Sequence, residues 1–229
     1  LPGGLTTARR LAGLGLATID VRRRERVHGE RRSGRADVAT AIIDWSPEQR
    51  QVIDIAAQRG AEVTLVDGAP GSGKSRAAAE AAARVIATGR SVLWLVPETS
   101  HVSLAFDLLQ AASTAPIEIV HSGMSQGERL DAYDRLAEPT PHIVVGTRIA
   151  VGAINDEIGL IVMDEEHESS YKSDRTPRLH AREVACMLAR LHAAPLILLS
   201  ATPSIESLAR ATRERWGRIT LSPRAAAPK

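Results

Sequence analysis

The 229 residues are 44% hydrophobic and 24% charged with a net charge of +2, which suits one well-buried domain, or one domain plus a piece of another. No run approaches the roughly 20 consecutive apolar residues that cross a bilayer, and LPGGLTTARR lacks the apolar segment of a secretion signal, so a cytoplasmic protein with no membrane partner is expected. The single cysteine, Cys186, excludes an internal disulfide and any cysteine-clustered zinc site within these residues, and in REVACMLARL it reads as the core residue of a helix.

In chain order, positions 1–44 give one short helix, a glycine-marked stop and a β-like segment. That segment runs into VRRRERVHGERRSGR, where seven arginines face two glutamates. This run is either a solvated connector or a patch that meets phosphates. The chain starts at Leu1, and a piece of a longer protein is expected. From Glu62 onward short apolar runs alternate with helical stretches. Strands are predicted at EVTLV (62–66), SVLWLV (91–96), IEIV (117–120), HIVVG (142–146), GLIVM (159–163) and PLILLS (195–200). Helices are predicted from Lys74 to Thr88, Val102 to Ala112, Ser125 to Leu136, Ala181 to His192 and Ser204 to Trp216. That order builds an α/β domain with a mostly parallel central sheet and helices on both faces.

GAPGSGKS, from Gly68 through Ala69, Pro70, Gly71, Ser72, Gly73 and Lys74 to Ser75, follows a predicted strand and opens a predicted helix. This is the context a phosphate-binding P-loop needs. Gly71 and Gly73 allow backbone N–H groups to turn inward on a triphosphate, at the positive end of the helix. Lys74 then neutralises the β- and γ-phosphates of ATP, and the Ser75 hydroxyl ligates Mg²⁺.

MDEEHESSYK (163–172) crowds six charged or titratable side chains into ten positions. Taken alone it is compatible with zinc ligation, with acid–base work or with a solvated loop. Beside a P-loop its roles divide. Asp164, at the end of a buried strand, is expected to hold Mg²⁺ through water, and Glu165 to orient and deprotonate the attacking water. Glu166 and Glu168 are read as solvated, and His167 as a link to another segment.

SPEQRQVID, VPET, HSGMSQGERLDAY, IVVGTRIAV, GLIVMDEEHESSYKSD, RLHAREVA and LLSATPSIESL together resemble superfamily 2 DExH helicases. They most resemble the first motor domain of the PriA, or primosomal protein N′, family of bacterial replication-restart helicases. The resemblance runs from about Trp45 to Leu221 and is most specific in DEEHESSYK followed by HARE. It implies a RecA-like P-loop NTPase domain over 45–229, preceded over 1–44 by the tail of a winged-helix module and a basic linker. By resemblance, Gln49 reads the adenine edge, and Ser200 and Thr202 couple the nucleotide site to DNA through His167. Thr147 and Arg148, with weaker support from His121, Ser122 and Gly123, touch the DNA backbone. Ser169, Tyr171 and Lys172 begin a loop that couples DNA to hydrolysis.

The family further implies 3′–5′ unwinding of forked or single-stranded DNA at the nucleoid, with primosome and single-strand-binding proteins as partners. A non-catalytic scaffold that only loads such partners is the alternative, but Lys74, Ser75, Asp164 and Glu165 are all present. VPETSHVSLAF departs from the family's usual VPE-I-x-L-T-P-Q, and Leu179 stands where an aromatic commonly precedes HAR. With 3% aromatic residues, base stacking is a small part of any DNA contact, and phosphates are the expected partners. The family's second motor domain, with its arginine finger, and its zinc module find no counterpart in these residues. The chain alone is therefore expected to bind nucleotide, hydrolyse it slowly and not unwind DNA.

Overall fold

The computed structural model describes residues 44–153, 157–173 and 178–222. The winged-helix and linker expectation for 1–44 lies outside these residues apart from Asp44. Strands β1 (Val63–Gly68), β2 (Ser91–Leu95), β3 (Ile117–Val120), β4 (Ile143–Gly146), β5 (Ile158–Met163), β6 (Leu196–Ser200) and β7 (Gly217–Leu221) form one sheet in the order β3-β4-β2-β5-β6-β1-β7. Every pairing in it is parallel.

Helices α1 (Pro47–Asp54), α2 (Lys74–Ala87), α3 (Val102–Ala112), α4 (Gln126–Leu136), α5 (Ala181–Leu191) and α6 (Ile205–Glu214) make the connections. Several start on local chemistry legible in the sequence. Ser46 and Gln49 form a capping box at α1 with Pro47 in its first turn, and Ser125 and Glu128 repeat that box at α4. Each box satisfies two orphan N–H groups reciprocally.

Side chains alternate across each strand, which divides the core in two. Val66, Val92, Trp94, Leu160, Val162, Ile197 and Leu199 face α1, α2 and α3. Leu65, Leu93, Leu95, Ile161, Met163, Leu196 and Leu198 face α4 and α5. The α2 face against the sheet is built from Ala77, Ala78, Ala81, Ala82 and Val85, small enough for close approach. Cys186 is buried on α5 as expected, and its apolar surroundings push its thiol pKa up.

Strand β7 was not predicted. GRITL is a mostly exposed edge strand, held to β1 partly by Arg218 and Thr220, which both donate to Asp67. The pattern carries little apolar signal because only Leu221 is fully buried there.

Since all strands are parallel, their carboxyl ends share one edge of the sheet. There β1 delivers Gly68, β4 Gly146, β5 Met163 and β6 Ser200, the region where open α/β sheets bind ligands. Gly146 is sterically fixed: a Cβ there would overlap the Val120 carbonyl oxygen and approach the Ala150 methyl to 2.7 Å. Gly146→Ala is expected to cost about 1–3 kcal/mol, read as a lower urea midpoint with an unchanged slope.

Candidate functional site

The turn between β1 and α2 has the form that an anion requires. Gly71 and Gly73 take φ of 80 and 86, and Gly73 caps α2 without any side-chain bond. The first helical bond in this region is Ala77 N–H to Gly73 C=O at 2.9 Å, so the N–H groups of Lys74, Ser75 and Arg76 precede the ladder and face outward along the axis. Ser72 Oγ is buried without a hydrogen-bond partner among the described residues. Lys74 is buried, and its ammonium donates to the carbonyls of Gly68 at 2.6 Å and Ala69 at 3.3 Å. An anion in the loop would replace those two neutral acceptors with charged ones.

At the end of β5, Asp164 faces Ser75, with Oγ to Oδ distances of 3.4 and 3.5 Å. Burial, then the neighbouring charge of Glu165, pushes the Asp164 carboxyl up from the ordinary 3.8 to about 6, against the pull of the Glu165 N–H, Lys74 and Ser75. This is a carboxylate short of cationic partners, loosely set against a hydroxyl, and both are hard oxygen donors of the kind Mg²⁺ takes. Among the described residues no cluster of three or more His, Cys, Asp or Glu side chains could hold a metal ion by itself.

Glu165 has a left-handed backbone at φ 46 and a half-buried side chain whose carboxylate lies 3.6 Å from His167 Nδ1. His167 Nδ1 in turn lies 2.8 Å from Ser200 Oγ, which also accepts from the Thr202 N–H at 3.0 Å. The sequence links of His167, Ser200 and Thr202 are therefore adjacent in space. Gln49 reaches the P-loop: its amide donates to Ser72 C=O at 2.9 Å while its Oε1 accepts from Ser46 N–H at 3.0 Å.

The expected DNA residues separate into two kinds. Ser169 and Lys172 are exposed. Tyr171 corrects the expectation of a DNA contact, because it is fully buried and its hydroxyl donates towards Asp164 C=O at 2.6 Å and Leu95 C=O at 3.1 Å. Thr147 is likewise buried at the end of β4. Arg148 turns its guanidinium onto the carbonyls of Ser170 at 3.1 Å and Lys172 at 2.9 Å. It thereby holds the short 3₁₀ turn Ser169–Tyr171 against the β4 end. His121 folds back on its own turn, accepting from Gly123 N–H at 3.2 Å.

Glu166 corrects the reading of a solvated acid. Its side chain is 0% exposed and accepts from Arg182, Ser204 and Ser207. Arg182 belongs to HARE on α5, and the serines lie at the start of α6. The one sequence signal for this cluster was the joint presence of HARE and SATPS, with no charge pattern pointing to Glu166.

Residues 46–211 match the DEAD/DEAH box helicase family. The chain is 37% identical over 214 residues to the Replication restart protein PriA of Treponema pallidum (strain Nichols), covering 92% of this chain and 32% of that protein. It is 37% identical over 163 residues to the Replication restart protein PriA of Bacillus subtilis (strain 168), covering 71% and 20%. The chain thus spans about a fifth to a third of these curated relatives. Among solved structures it resembles a DEAD box protein from Methanococcus jannaschii (TM-score 0.58, 18% identity, 76% of this chain and 49% of that one). It also resembles RecG bound to a three-way DNA junction (TM-score 0.54, 14% identity, 82% and 25%). At these identities the likeness is one of fold.

A carboxyl whose folded pKa lies above its unfolded value holds its proton more tightly when folded. The stability this contributes is complete below about pH 4 and is lost as pH rises through about 6. In EDTA, Asp164 is therefore expected to weaken the fold by on the order of 2 kcal/mol between those limits. Asp164→Asn should flatten that dependence and raise the urea midpoint at neutral pH, as measured by unfolding at acid and neutral pH.

Proposed function

Because the chain belongs to the DEAD/DEAH box helicase family, we propose that it is the nucleotide-binding motor domain of a PriA-type protein, a DNA-dependent ATPase and helicase serving replication restart. The observation that carries this reading is the convergence, on one sheet edge, of the Lys74 and Ser75 cradle, Asp164 and Glu165, with His167 2.8 Å from Ser200. An unrelated P-loop ATPase has no need of that last contact, which joins two strand ends and leaves the phosphate cradle untouched.

On this reading the backbone from Gly68 to Ser75 binds the phosphates of ATP, and Lys74 exchanges its two carbonyl partners for phosphate oxygens. Ser75 and Asp164 would hold Mg²⁺, Asp164 by way of water. When bound, that ion supplies charge neutralisation at the phosphates and relieves the uncompensated Asp164 carboxylate. Glu165 orients the attacking water and accepts its proton. Gln49 recognises the base. His167, Ser200 and Thr202 relay the state of the site.

DNA is the proposed partner, met at phosphates by Lys172, Ser169 and the nearby Arg148. Thr147 and Tyr171 act from the interior, by holding the strand end and the loop. Forked or single-stranded DNA, primosome proteins and single-strand-binding protein are the partners proposed for the complete protein, in the cytoplasm at the nucleoid. The transition-state charge calls for an arginine finger, a device worth about 10³–10⁵ in rate. Within this reading a second motor domain supplies it, so the chain alone turns over slowly.

The test is DNA-stimulated ATP hydrolysis by the complete protein beside its Lys74→Ala variant. A fall of about 100-fold or more is expected from losing the phosphate-neutralising charge, and equal rates would refute the motor. For the isolated chain, calorimetry should detect ADP binding that weakens when EDTA removes Mg²⁺.

A further inference from the structure

Glu165 keeps its left-handed backbone, at φ 46, a conformation that a non-glycine residue holds only where its surroundings fix it. Both neighbours are fixed. Before it, Asp164 N–H donates to Leu95 C=O at 2.9 Å, and Asp164 C=O accepts from the Tyr171 hydroxyl at 2.6 Å. After it, Glu166 N–H donates to Leu199 C=O at 2.9 Å.

The Glu166 carboxylate then gathers four donors. Oε1 accepts from Ser204 N–H at 2.7 Å. Oε2 accepts from the Arg182 guanidinium at 2.9 Å, Ser204 Oγ at 3.0 Å and Ser207 Oγ at 2.7 Å. Arg182 is nearly as buried as its partner, and the two hydrogens of its Nη1 are shared among Glu166 and the two serine hydroxyls, which lie at 2.8 and 2.7 Å. None of these groups lies in the P-loop or carries a nucleotide role.

The same carboxylate reaches the segment that follows β6. Ser200 is tied to the turn through His167, and Ser204 through Glu166, so Ser200–Ser204 is attached to the 164–167 turn at both ends. A buried ion pair adds little stability over an apolar pair of equal volume, but its hydrogen bonds are directional and leave few alternative arrangements.

We propose that Glu166, with Arg182 as its counter-charge, is a positioning residue that fixes the left-handed turn at Glu165 and clips Ser200–Ser204 to it. One buried carboxylate outside the nucleotide site then sets both the aim of the water-orienting acid and the reach of His167 to Ser200. The proposal rests on the water-orienting role of Glu165.

The test uses the complete protein with Glu166→Gln and with the double variant Glu166→Leu/Arg182→Met. The double variant removes both charges while keeping volume, so that neither is left buried alone. In both, nucleotide affinity and KM for ATP should stay within about twofold, while kcat for DNA-stimulated hydrolysis falls about tenfold or more, as a misplaced reacting group demands. Amide hydrogen exchange should speed up in peptides covering 164–168 and 200–204 and stay unchanged in those covering β2 and β5.

Wild-type kcat and wild-type exchange in the double variant would overturn the proposal. So would a loss of nucleotide affinity in step with Tm and exchange across the whole sheet, which would make the cluster general scaffolding. Should Lys74→Ala leave hydrolysis unchanged, the motor reading fails. The exchange rates at 164–168 then decide alone whether Glu166 positions the turn.

Discussion

Parallel pairing is the constraint from which the rest of the molecule follows. A parallel strand cannot return beside its neighbour without a crossover, so each strand is followed by a helix or a long loop. Every strand also finishes at the same edge. That edge gathers GAPGSGKS after β1, GTR from the end of β4, DEEH after β5 and SAT from the end of β6, although these segments are scattered through more than half the chain. The order β5-β6-β1 puts Asp164 and Glu165, Ser200 and the Gly68–Ser75 loop at the ends of three successive strands. Neighbouring parallel strands lie about 4.8 Å apart, which is why side chains from separate motifs can touch at all.

Where local chemistry decides an element, the sequence was legible. Ser125 with Glu128 announces a helix start, and the predominantly apolar, fully buried β2, β5 and β6 announce strands covered on both faces, whereas α1, which opens on Ser46 with Gln49, was not predicted. The cradle too is local, since its glycines and its following helix are contiguous. Legibility ends where a partner comes from far along the chain. β7 pairs in parallel with β1, about 150 positions earlier, where Asp67 also accepts from Arg218 and Thr220. Glu166 stands among five other charged or titratable residues and looks solvated. Its burial depends on Arg182 and on two serines from another helix. Tyr171 looks like a loop aromatic for the same reason: the acceptors that draw it inward are backbone carbonyls, and those have no sequence signature.

Two residues expected to face DNA, Thr147 and Tyr171, thus lie in the interior, and a third, Arg148, bonds to its own chain. Arg148 secures the carbonyls of Ser170 and Lys172, while Tyr171 between them reaches the carbonyl of Asp164. A continuous set of hydrogen bonds therefore runs from the surface turn to the strand end that carries the acids. Its members are the Arg148 guanidinium, the backbone of residues 170–172 and the planar Tyr171 side chain.

Gln49 leads to a different kind of consequence. Its carbonyl oxygen belongs to the α1 cap and its amide to the Ser72 carbonyl, so neither polar end is idle. Each end still keeps one site open, a second N–H on the amide and a second lone pair on the oxygen, so a nucleobase edge could be met with both present bonds in place. Those bonds already hold the carboxamide in one orientation, so such a contact would cost little side-chain ordering. It would discriminate between ligands, because an edge with the wrong donor and acceptor pattern leaves the remaining N–H and lone pair unmatched.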